Sequence, residues 1–198
     1  MQAREHIAKQ SIHGHLRTPS EGLQPECTKP GRKKNKMNTG ASVNVCAGIT
    51  NSKVALWEHL PQKWNGENAA NLYKGAIYRT LKRQRGTKRK YIVLEDNDPS
   101  GYKSGKAKTA KREPKIDAIP FPAYSPDLNP LDYSIWSEIN RRMLRSAPAK
   151  VESVTAYKAR LRQTALRLPK AFVRKVVLSM PKRIKAVIKA KGQNISRD

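Results

Sequence analysis

The sequence predicts an α/β fold, a mixed sheet flanked by helices, with a basic helical C-terminal extension. Three observations predict it. Short apolar runs bounded by turn residues occur at 43–57, 91–94 and 116–121, lengths that suit strands and not helices. Between and after them, apolar residues recur at three- and four-residue spacing. The resulting order is strand, strand, helix, strand, helix, strand, helix.

Each element has its own signal. Val43 to Ile49 alternates, Thr50-Asn51-Ser52 turns, and Lys53 to Trp57 continues, which predicts a hairpin. Trp64-Asn65-Gly66-Glu67 breaks the chain. Asn65 then suits the N-cap of a helix from about Glu67 to Gln84, with Ala70, Tyr73, Ile77 and Leu81 on its apolar stripe. Arg79 to Lys90 is densely basic. Tyr91-Ile92-Val93-Leu94 is a buried strand, ended by the turn chemistry of Glu95 to Gly101. Ser104 to Arg112 is a short basic helix stopped by Pro114, and Ile116 to Phe121 is a further strand ended by Pro120 and Pro122. Asn129 and Pro130 suit the N-cap and first position of a helix running to about Leu144.

Two acids stand out against this frame. Asp96 sits where a buried strand opens to solvent, and Asp132, with 35 residues between them, falls in the first turn of a helix. Magnesium takes hard oxygen ligands and needs only one or two protein carboxylates, leaving room for phosphate. Two such ions about 4 Å apart stabilise the attacking and leaving oxygens of phosphodiester chemistry. The plainer alternative is that Asp96 and Asp98 build a turn and Asp132 favours a helix N-terminus.

Leu94-Glu95-Asp96-Asn97, followed by Tyr124-Ser125-Pro126-Asp127-Leu128-Asn129-Pro130-Leu131-Asp132-Tyr133 and Trp136, resembles the second half of a mariner-type transposase catalytic domain. The resemblance covers roughly residues 40–145. It implies an RNase H-like fold in which Asp96 is the second and Asp132 the third of three metal-binding acids. It further implies Mg2+ or Mn2+ as cofactor and DNA strand cleavage and transfer as the ancestral reaction. Asp at the third position resembles the mariner branch, while SPDLNP is closer to a sister branch with Glu there. The first acid of the pattern has no counterpart, because no Asp precedes Asp96 and Glu5, Glu21 and Glu26 follow no strand-like run. The expectation is a domain lacking its first strand, inactive or barely active in nicking while still binding DNA. A catalytically dead relative that only binds nucleic acid is the alternative. A basic RNA-binding protein is a third reading, against which the motif pair argues.

Charge points the same way. Lys and Arg number 41 against 15 Asp and Glu, a net charge of +26, and the pI is near 10.4. Such an excess predicts a polyanionic partner, nucleic acid first, most of all DNA, and an anionic membrane surface second. A homodimer is a further candidate assembly. The residues expected to meet phosphate are Arg32, Lys33, Lys34, Lys36, Lys82, Arg83, Arg85, Lys88, Arg89, Lys90, Arg141 and Arg142. The run from Arg32 to Lys36 reads equally as a nuclear-import signal, which predicts a nuclear location, or as a solvated loop. No apolar run is long enough for a membrane span, and no membrane partner is expected. His6, His13, His15 and Cys27 match no zinc spacing. Cys27 and Cys46 form no redox spacing, so a reduced intracellular compartment is expected.

The expected organisation is an irregular basic segment over 1–40, a catalytic-type domain over 41–146 and a basic amphipathic extension over 147–198. The last 60 residues hold 17 Lys or Arg against Glu152 and Asp198. Val151, Val154, Tyr157, Leu161, Ala165 and Leu168, then Phe172, Val176 and Met180, then Ile184, Val187 and Ile188, follow helical spacing. Those helices either cover the sheet while turning Lys and Arg outward, or extend into solvent, or bind an acidic partner or membrane.

Overall fold

A computed structural model describes residues 43–85, 90–96, 98, 101–119, 121–122, 125–149, 152–193 and 195. The segment over 1–40, with its basic run, lies outside the described residues. The hairpin forms as expected, from β1 (Asn44–Ile49) and β2 (Val54–Leu60). The strands pair antiparallel, from Asn44 opposite Leu60 to Ile49 opposite Val54, with a bulge at Gly48/Ile49. The Thr50 amide donates to the Lys53 carbonyl at 2.9 Å and closes the turn.

Asn65 caps the next helix, its side chain accepting from the Asn68 amide at 3.0 Å. The helix is interrupted where the sequence suggested one continuous rod. It runs as α1 (Gly66–Leu72), a π-helical turn (Tyr73–Ile77) and α2 (Tyr78–Arg85). The wider turn rotates Tyr73 fully into the core. Next come β3 (Tyr91–Leu94), α3 (Gly105–Arg112) and β4 (Ile116–Ile119). The Ser104 side chain caps α3 by accepting from the Ala107 amide at 3.2 Å. β3 and β4 pair in parallel with Tyr91 opposite Ile116, as a strand–helix–strand crossover requires.

The sheet expected as one is therefore two pairs among the described residues, β1–β2 and β3–β4. The reason lies in the connections. A short turn joins the first pair and α3 joins the second, while the link from β2 to β3 is the long α1–α2 excursion. The parallel pair turns Tyr91 and Ile116 inward and leaves Ile92, Leu94 and Ile119 exposed.

A 3₁₀ turn (Pro126–Leu128) and a second π-helical turn (Leu131–Ile135) lead into α4 (Trp136–Arg145). The sequence expectation at this start is met. Asn129 Oδ1 accepts from the Leu131 amide at 3.1 Å, and its carbonyl accepts from the Asp132 and Tyr133 amides. The chain ends in α5 (Val154–Leu166), α6 (Lys170–Leu178) and α7 (Met180–Lys189). Of the three readings of this region, packing follows the first. Leu161, Ala165, Val173 and Val176 bury against Val54, Trp57, Ile135 and Ile139 in one cluster. Fully burying each such aliphatic side chain contributes roughly 1.5–3 kcal/mol. A second cluster joins Ala69, Tyr73, Tyr91, Ala107 and Ile116 beneath α1, α3 and the parallel pair. No helix of the described residues is long and apolar enough to cross a membrane.

Candidate active site

Asp96 stands two residues beyond β3, and its surroundings are set from three sides. Asp96 Oδ1 accepts from the Asp98 amide at 3.2 Å, a local turn bond. Asp98 Oδ2 accepts from Trp64 Nε1 at 2.6 Å, which ties the turn to the start of α1. Gly101 is what lets the indole approach. A Cβ there would overlap Trp64 Nε1 and lie 2.7 Å from Asp98 Oδ2.

Glu95, the neighbour of Asp96, points the other way. It accepts from Lys111 Nζ and from the Tyr73 hydroxyl. The Lys111 and Glu95 side chains are 8% and 7% exposed, so this is a buried ion pair. Lys111 Nζ also donates to the Tyr102 carbonyl at 3.1 Å and sits 4.6 Å from the centre of the Tyr73 ring. Lys111 reaches this position because it lies four residues after Ala107 on the buried face of α3. The pair clamps the end of β3 to α3 and fixes where Asp96 emerges.

The Asp96 carboxyl is held above its ordinary pKa. Desolvation is the largest cause; the Asp98 amide opposes it, the charges of Asp98 and Glu95 add to it, and Lys103 opposes it. Cys46 on β1 shares this environment. Burial pushes its thiol up to about 11, the Tyr102 hydrogen bond works against that, and Asp96 and Glu58 add to it. Tyr73 and Tyr102 are also raised, burial again leading. A cation bound at Asp96 would favour the ionised carboxylate and oppose this shift.

Asp132 lies on the second π-helical turn, a local geometry frequent at functional sites. Asn129 Nδ2 donates to Asp132 Oδ2 at 2.7 Å and orients the carboxyl. The preceding motif residue Asp127 is buried and accepts from the Ile195 amide at 3.1 Å, while its carbonyl accepts from Arg183 at 3.4 Å. Arg183 also stacks 4.1 Å from the centre of the Tyr133 ring, whose hydroxyl donates to the Val176 carbonyl at 2.7 Å. The Asp132 turn is thus held from behind by α6 and α7. The donor chemistry suits a hard cation that keeps water and phosphate ligands. Among the described residues no group of three His, Cys, Asp or Glu is spaced to hold a metal ion.

The basic residues fall into groups. Lys82 and Arg83 are exposed on α2, Arg83 reaching Thr80 Oγ1 at 3.5 Å, and Arg85 ends that helix. Lys90 pairs with Asp117 at 2.5 Å on the surface. Arg141 and Arg142 both bond Glu138, at 2.6 and 2.7 Å, so one acid offsets part of their charge. Arg32, Lys33, Lys34, Lys36, Lys88 and Arg89 lie outside the described residues. Sequence reasoning missed Lys103, Lys108, Lys111, Arg112 and Lys115, which gather beside α3. The signal was the spacing of Ala107, Ala110 and Lys111, which puts a lysine on an alanine-lined inner face. Lys115 turns α3 into β4 with φ 53°, the left-handed region that costs a non-glycine residue roughly 1–2 kcal/mol.

The fold is similar to that of mariner-type transposase catalytic domains. Crystal structures of the Mos1 mariner transposase catalytic domain superpose with a TM-score of 0.65, at 23% identity, over 78% of this chain and 76% of that one. The Mos1 paired end complex with Mn superposes with a TM-score of 0.70, at 18% identity, over 98% of this chain and 61% of the other. In sequence, the chain is 33% identical over 104 residues to the Tcb1 transposase of Caenorhabditis briggsae and 31% identical over 109 residues to the Tc1 transposase of Caenorhabditis elegans. Each match covers 52% of this chain and 36% of the relative, so the chain spans about a third of the length of these transposases. No family model matches. The resemblance read from the motifs is borne out by both the relatives and the fold.

Proposed function

We propose that this chain binds DNA and that Asp96 and Asp132 together hold a divalent cation, magnesium or manganese, for phosphodiester cleavage and strand transfer. When bound, the cation would polarise the phosphate and favour an ionised nucleophile. The chain's own residues do the rest. The Asp98 amide aims the Asp96 carboxyl, Asn129 aims that of Asp132, and the Lys111–Glu95 pair fixes the strand end. The observation that carries this reading is the placement of the two acids: Asp96 exposed just beyond β3 with its carboxyl oriented by the Asp98 amide, and Asp132 on the turn that opens α4 with its carboxyl oriented by Asn129. The relatives support it by being transposases, and the Mos1 neighbours by including structures with Mn and with Mg. A nuclear location and a second copy of the chain belong to the same reading. Because the described residues supply two acids to this set, turnover is expected to be slow.

The test is nicking of supercoiled plasmid by purified protein in magnesium or manganese, beside Asp96→Asn and Asp132→Asn. Slow metal-dependent nicking, lost in both variants while DNA binding persists, is the expected result. Equal nicking by the variants would overturn the assignment, and no nicking by an unaltered chain that still binds DNA would favour the catalytically dead relative.

A further inference from the structure

An open groove of about 660 Å³ runs between α3 and β4. Its walls carry Lys103, Lys108, Arg112 and Lys115, and its floor is the Lys111–Glu95 pair. The floor acid is neutralised by the floor lysine, and Asp117 on the rim by Lys90. The four wall cations have no acid within ion-pair distance among the described residues, so the groove presents a net positive field. Lys108, Arg112 and Lys115 are exposed and Lys103 half-buried, so their ends are free to meet a ligand. The Lys103 amide donates to the Asp98 carbonyl at 3.1 Å and the Asp98 amide to Asp96 Oδ1 at 3.2 Å, which ties this end of the groove to the turn that carries the acid.

We propose that this groove seats the sugar–phosphate backbone of duplex DNA and leads it to Asp96. The inference rests on the reading of Asp96 as part of a DNA-processing site and adds the path by which the strand arrives. The chemistry selects backbone over bases. Three of the four wall groups are lysines, compact point charges suited to phosphate. The one aromatic lining residue, Tyr102, packs its ring against Trp64 and Tyr73 at 5.3 and 6.2 Å between centres and is not a stacking platform. Lys115 keeps a charged side chain at a backbone position that favours glycine, a strain of the kind found where a side chain has a task. The groove's cations come from α3 and its two flanking loops, and the Lys111–Glu95 pair ties α3 to the end of β3.

The experiment measures duplex DNA affinity across a salt series in EDTA, which removes any dependence on nicking. One variant carries Lys103→Ala, Lys108→Ala, Arg112→Ala and Lys115→Gly. A charge-matched variant carries Lys175→Ala, Lys182→Ala, Lys185→Ala and Lys189→Ala, all exposed on α6 and α7. Every phosphate that the protein no longer neutralises flattens the slope of log affinity on log salt by about 0.9. The groove variant is expected to flatten it by about 2 to 4 units, and clearly more than the matched variant. A second variant, Lys108→Glu with Arg112→Glu, keeps the glycine-prone turn untouched and is expected to weaken binding in the same sense. Equal effects of the groove and matched variants would overturn the groove while leaving the Asp96 reading standing. Loss of nicking dependence on Asp96 with the groove effect intact would do the reverse.

Discussion

At the scale of single residues, the arrangement turns on a division of labour between adjacent acids. Glu95 is committed to structure: buried, paired with Lys111 and capped by the Tyr73 hydroxyl. Asp96, one residue on, keeps an exposed side chain, while the atoms packed around its carboxyl still raise its pKa. The consequences of substitution differ accordingly. Lys111→Ala strands a buried carboxylate and is expected to cost about 3–5 kcal/mol in denaturant unfolding. Combining Lys111→Met with Glu95→Gln removes both charges and should recover most of that loss. If the single and double variants are equally unstable, the pair is not what holds the strand end. The sign is opposite at Asp96. Its pKa is raised on folding, so the folded state binds the proton more tightly than the unfolded chain does. Ionisation as pH rises from the ordinary 3.8 through the raised value subtracts stability. Asp96→Asn therefore leaves the fold intact, which makes it a clean control for activity.

At the scale of elements, the acid-bearing turn after β3 is fastened to the rest of the molecule by close approach. Trp64 reaches Asp98 only because residue 101 is glycine, and α1 meets α3 where Gly66 faces the Ser104 side chain, whose Oγ would lie 2.5 Å from an added Cβ. Gly101→Ala is expected to push the rigid indole off Asp98 and cost about 1–3 kcal/mol, with a shift in Trp fluorescence. An unchanged melting midpoint would show that the turn adapts. These contacts explain what the sequence let one read and what it hid. Asn65 and Asn129 were legible as caps because capping is a property of a residue and its next three neighbours. Asp96 and Asp132 were legible because the flanking motifs are local too. The break of the long helix into α1 and α2 was not, since the π-helical turn brings Tyr73 onto Glu95, a partner 22 residues away. The buried lysine was hidden for the same reason, its partner lying at the end of another element. The division of the strands into two pairs depends on how the connections pack, which no local pattern states.

At the scale of the whole molecule, charge dominates. The sequence carries a net +26, and among the described residues α2, α3 and α5 to α7 all expose basic side chains, while the inner faces of the last helices close the core. A surface of this kind binds polyanions through phosphate neutralisation and counterion release, which carries no sequence information. Binding is therefore expected to be largely independent of DNA sequence. If the protein neutralises about 6–10 phosphates, affinity should fall by about 10³–10⁵ between 50 and 200 mM salt. Competition between unrelated duplexes of equal length, repeated across that salt range, checks both halves of the expectation. Near-equal competition with a steep salt slope supports it. Affinity that holds through about 200 mM salt, or one duplex displacing all others, would mean that interactions other than phosphate neutralisation hold the DNA.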